Sequence, residues 1–133
     1  MSRSGYVDDY EGLNLYRGAV LQALRGRRGQ AFLRELLAAL DALPAPRLIA
    51  HELIACGGEV CALGAAGLQR GLDMATIDDY DSECVAEAFG IAHAMAAEIA
   101  YVNDEQGNSR ETPEERFARV RRWVVGQIER PHA

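Results

Sequence analysis

No lysine occurs in the 133 residues; all fourteen basic side chains are arginine. A P-loop needs its Gly-Lys-Ser/Thr run and Schiff-base chemistry needs a lysine amine, so both are excluded. Aromatic residues make up only 7% of the chain and do not interleave with the arginines, which argues against a nucleic-acid platform. Clusters of Val, Ile and Thr are too short to argue for strands. No apolar run approaches the ~18 to 20 residues needed to cross a membrane. The opening residues, Met-Ser-Arg-Ser-Gly-Tyr-Val-Asp-Asp, have no apolar leader core, so the expectation is a cytoplasmic protein with no membrane partner. Cysteine is sparse too. An odd set of three (Cys56, Cys61 and Cys84) argues against a disulfide framework.

What is present points to helices. Hydrophobic residues account for 49% of the chain, enough for one domain with a real core. Ala, the best helix former, occurs 22 times. Residues 1–10 read as a polar, loosely held start. Leu13, Tyr16, Val20 and Leu24 recur at helical spacing and predict a helix over 11–27. Leu33, Leu36, Leu37 and Leu40 mark a second helix over 30–43, stopped by Pro44-Ala-Pro46 and folded back on the first as a hairpin. A short helix is expected over 47–56, although Leu-Ile-Ala-His-Glu-Leu-Ile also suits a strand. Residues 59–69 form another helix, with Ala62, Gly64, Ala65, Ala66 and Gly67 inviting a close neighbour. A loop at 73–81 feeds a long Ala-rich helix over 82–102, with Asp78, Asp79 or Ser82 as its cap and Gly90 as a kink point. A polar turn follows at 103–110. Thr112-Pro-Glu-Glu115 then opens a capped last helix that buries Phe117, Val120, Val124 and Ile128. The fold class is all-α, a single domain of five or six helices.

Charge is unevenly distributed. Residues 1–71 carry eight Arg against seven acids, while residues 72–133 carry six Arg against thirteen. The nine acids from Asp73 to Glu105 are interrupted by no Arg. Within that run Asp73, Asp78, Asp79, Asp81, Glu83 and Glu87 are candidates for binding a basic partner. The plainer reading is a solvated edge.

Chemical motifs are thin. Zinc could use Cys56, Cys61, Cys84 and His51 or His93, but no C-x2-C pair is present and no metal or cofactor is expected. A nucleophile reading places Cys61 at a helix start, His93 as base and Asn103 or Asp104 as its orienter. Against it, Val60-Cys-Ala-Leu63 is an apolar setting, where a cysteine behaves as a small hydrophobe. Aligning Gly107 with the glycine of an EF-hand puts Val102 at the first ligand position, which excludes that loop. Arg25, Arg27 and Arg28, or Arg116, Arg119, Arg121 and Arg122, could face nucleic acid. The second group spreads around its helix, and no direct nucleic-acid binding is expected.

Several runs together resemble a group of small proteins encoded by phages and prophages. They are Tyr16-Arg-Gly-Ala19, Arg27-Arg-Gly-Gln-Ala-Phe-Leu-Arg-Glu-Leu36, Val60-Cys-Ala-Leu-Gly-Ala65, Ala88-Phe-Gly-Ile91, Asn103-Asp-Glu105 and Glu111-Thr-Pro-Glu-Glu-Arg116. The resemblance spans roughly Tyr16 to Trp123 and carries context rather than chemistry. It implies a bacterial host cell, and small phage accessory proteins often bind and block host machinery, including CRISPR complexes. Two functions follow as expectations. One is a non-enzymatic protein binder acting through the acidic side, with a defence antagonist of anti-CRISPR type as its specific form and self-association left open. The other is a small hydrolase centred on Cys61 and His93.

Overall fold

The computed structural model describes residues 2–5 and 10–129; the side chains of 10–16, and with them Leu13 and Tyr16 of the first predicted stripe, lie outside that description. Among the described residues there are six helices, α1 (Tyr10–Arg25), α2 (Arg27–Asp41), α3 (Ala62–Arg70), α4 (Ser82–Phe89), α5 (His93–Glu105) and α6 (Pro113–Gln127), with a 3-10 turn at Met74–Thr76. The fold is all-α, a single compact domain.

The core follows the apolar stripes. Leu33, Leu36 and Leu40 of α2 pack in one cluster with Val120 and Val124 of α6, Val20 and Leu24 of α1, and Met95, Ile99 and Val102 of α5. Phe117 and Ile128 sit at its margin, only partly buried. Gln30, 6% exposed, fastens three elements. Its amide donates to the carbonyls of Leu24 and Gln127, and its Oε1 accepts from the Glu129 amide. Every polar group of that side chain is thereby satisfied, as burial demands. No single helix among the described residues is long and apolar enough to cross a membrane.

Local sequence explains the helix ends. Thr112 and Glu115 form the expected capping box, with Pro113 in the first turn. α3 is seated by its small residues: a Cβ on Gly64 would lie 1.9 Å from the Leu53 carbonyl oxygen, and one on Gly67 would lie 2.4 Å from Met74 Sδ.

Five expectations are corrected. Residues 47–56 are not a helix. They run extended into a turn, with Ile49 and Ala55 amides donating to the carbonyls of Val60 and Glu59, and an isolated antiparallel bridge joining Ile54 to Val60. The apolar run is too short to show periodicity, and Leu48 and Leu53, both fully buried, are five apart and off a helical face. The helix over 82–102 breaks at Gly90, whose φ of +67° closes α4, and α5 leaves at a bend of 109°. The α4 cap is Asp81, which accepts from the amides of Glu83 and Cys84, not Asp78, Asp79 or Ser82. Asn103, Asp104 and Glu105 are the last turn of α5 rather than a loop. The opening segment differs as well: Arg3 and Ser4 are each 3% exposed, docked rather than loosely held, while 6–9 lie outside the described residues.

Candidate functional site

Cys61 sits at the N-cap of α3, 1% exposed, and its Sγ accepts from the Gly64 amide at 3.4 Å. Arg3 lies over it with Nη1 3.5 Å from the sulfur. The same guanidinium makes two bonds of 2.8 Å to the Asp104 carboxylate, the fork geometry that suits Arg best. Asn103 completes the cluster. Its Oδ1 accepts from the Ala62 amide, and its Nδ2 donates to the Ile49 carbonyl and to Asp104. Asp104 also accepts from the amide of His51, which holds a left-handed backbone at φ +74°. Burial opposes the charge on Asp104, yet Arg3, the His51 amide and Asn103 outweigh it and hold its carboxyl below the usual range.

The spacing argument for a triad fails in three dimensions. His93 and Asp104 stand near opposite ends of α5, roughly 16 Å apart at 1.5 Å per residue, so Asp104 cannot orient that imidazole. His93 is exposed and bonds Ser82 Oγ instead. The histidine beside Asp104 is His51, with Nδ1 3.8 Å from the carboxylate and the side chain mostly in solvent. Sequence reasoning had weighed His51 only as a zinc ligand, and it passed over Arg3 entirely. Neither carried a local signal, since their partners lie 53 and 101 positions away. The small-hydrophobe reading suits Cys61 alone: Cys56 and Cys84 are exposed. Cys84 donates to Asp81, which raises its thiol pKa. Among the described residues no three His, Cys, Asp or Glu side chains meet in a way that could hold a metal.

The acidic segment divides in two. Glu98 is buried facing Arg17, Asp104 belongs to the Cys61 cluster, and Glu105 accepts from Ser2 and Ser4. The other six, Asp73, Asp78, Asp79, Asp81, Glu83 and Glu87, remain at the surface or half-buried. Four of them also have local structural work. Asp73 caps the 3-10 turn, Asp78 accepts from the Tyr80 amide, Asp79 from the Leu53 amide, and Asp81 caps α4. Glu83 and Glu87 lie one turn apart on α4 and project freely. Among the described residues none of the six pairs with an arginine, whereas Glu35, Asp41, Glu59, Glu111 and Glu114 all do. Tyr80, 52% exposed, stands in their midst.

The basic candidates are mostly committed elsewhere. Arg116 donates to the Leu48 carbonyl, Arg119 binds Glu111 and the last carbonyls of α5, and Arg121 binds Asp41. Arg25, Arg27 and Arg28 remain exposed at the α1–α2 junction. Comparison of the chain with protein-family models, curated proteins and solved structures finds no match in any of the three.

Proposed function

We propose that this protein acts by binding another protein through the face of Asp73, Asp78, Asp79, Asp81, Glu83 and Glu87, and that the partner presents a basic surface of the kind that holds nucleic acid. One observation carries the reading: six carboxylates share a surface with no arginine paired to them among the described residues, while Glu35, Asp41, Glu59, Glu111 and Glu114 are each paired with one. Glu83 and Glu87 at i and i+4 repel one another by a few tenths of a kcal/mol, a cost that a cation between them would remove. Tyr80 adds an amphipathic anchor of the type enriched at binding hot spots. The resemblance to small phage and prophage proteins makes a host or phage protein the partner class, and occupation of its nucleic-acid channel would antagonise host defence.

The test uses side chains with no structural duty. Glu83→Gln with Glu87→Gln, and separately Tyr80→Ala, leave every cap described above in place. Wild type and variants are used to capture partners from infected cells, and association with the captured protein is then timed at two salt concentrations. The expected result is a slower on-rate for the Glu variant and a flatter salt dependence, because charge complementarity acts mainly on encounter. Unchanged affinity and salt dependence in both variants would sink the proposal, as would capture of no specific partner.

A further inference from the structure

The segment 2–5 is attached to the described helices by side chains. Arg3 grips Asp104 and reaches Cys61, while Ser2 and Ser4 donate to Glu105 at 3.4 and 3.0 Å. Its one backbone–backbone bond among the described residues is internal, from Gly5 to Ser2. Beside Arg3 is a small cavity lined also by Leu53, Leu63, Asp79, Ser82, Val85 and Ala96.

The groups under the segment do not depend on it for their positions. Cys61 is fixed by its own amide bond to the Leu53 carbonyl and by Gly64. Asn103 is fixed by Ala62 and Ile49. Asp104 keeps two neutral donors, the His51 amide and Asn103 Nδ2, when the guanidinium leaves. Undocking therefore breaks the Arg3–Asp104 pair and the two serine contacts while the groups beneath keep their own bonds.

We propose that segment 2–5 is a latch: docked, Arg3 seals Cys61, and undocked, it opens to small electrophiles the Cys61 thiol and the Asp104, Asn103 and His51 cluster that Arg3 bridges to it. The latch does not rely on the partner-binding reading of the acidic face, of which only Asp79 reaches this cavity. The arrangement is an autoinhibitory contact within the chain. It makes accessibility, rather than the identity of the neighbours, the quantity that governs Cys61.

The test is alkylation by iodoacetamide, in which the Cys61 sulfur displaces iodide, followed by mass spectrometry in a Cys56→Ser, Cys84→Ser background. Arg3→Ala should label about tenfold faster or more than the parent, since the rate follows the open fraction. The rate should change little below ~1 M urea, as local opening exposes little surface. Leu36→Ala, matched to Arg3→Ala in melting temperature by choice of conditions, reports global unfolding. If Arg3→Ala does not fold, Asp104→Asn takes its place, leaving Arg3 without its carboxylate. Equal rates in parent and variant overturn the latch. So does acceleration no greater than in Leu36→Ala, or one that rises steeply with urea.

Discussion

Leu36 and Asp104 illustrate two kinds of buried side chain. Leu36 is fully buried between α2 and its neighbours, and truncation there leaves a cavity as well as losing apolar burial. Leu36→Ala should cost about 2–5 kcal/mol in urea unfolding; a loss below ~0.5 kcal/mol would remove it from the core. Asp104 acts through charge. Its carboxyl is held below the ordinary Asp value near 3.9, so its contribution is present above that pH and is lost as pH falls through the folded value. Acid unfolding curves of wild type should therefore be steeper below about pH 4 than those of Asp104→Asn. Glu35, Asp41 and Glu111, also held low by arginine, supply the slope that remains. Identical slopes in the two proteins would show that Asp104 titrates alike in the folded and unfolded chain.

Among the elements, the α4–α5 corner turns on Gly90. A Cβ there meets nothing within 4 Å, so the obstacle to substitution is backbone conformation alone. Gly90→Ala should cost roughly 1 kcal/mol and leave the bend intact, because the Asp81 cap and the buried faces of both helices stay in place. A loss of several kcal/mol would indicate that the corner itself rearranges. The α6 start depends on hydrogen bonds instead. Thr112→Ala removes the acceptor for the Glu115 amide and should cost about 1 kcal/mol, measured as a shift in melting temperature.

At the scale of the whole molecule, stability and binding are expected to diverge on α4. Glu87→Arg would create an i,i+4 pair with Glu83 in the favoured order and place a cation near the helix C-terminus. Folding should gain a few tenths of a kcal/mol while capture of a basic partner weakens. Parallel thermal melts and binding measurements check both signs. If both properties improve together, the acidic face is not where the partner sits.

Sequence alone determined the helical class, the α2 and α6 stripes, the Thr112 capping box and the run of acids. Each of these is written in neighbours three or four positions apart, or in composition, where local physics dominates. Tertiary structure decided the rest. Leu48 and Leu53 joined an extended segment because the backbone at 59–61 offered hydrogen bonds that no helical spacing announces. The acids sorted into buried and free only when α5 turned Glu98 and Asp104 inward, and Cys61 acquired Arg3 and Asp104 in place of His93. Those contacts span 40 to 100 residues of chain. Such pairings depend on which helix faces meet in the folded core, and periodicity within one element carries no record of them.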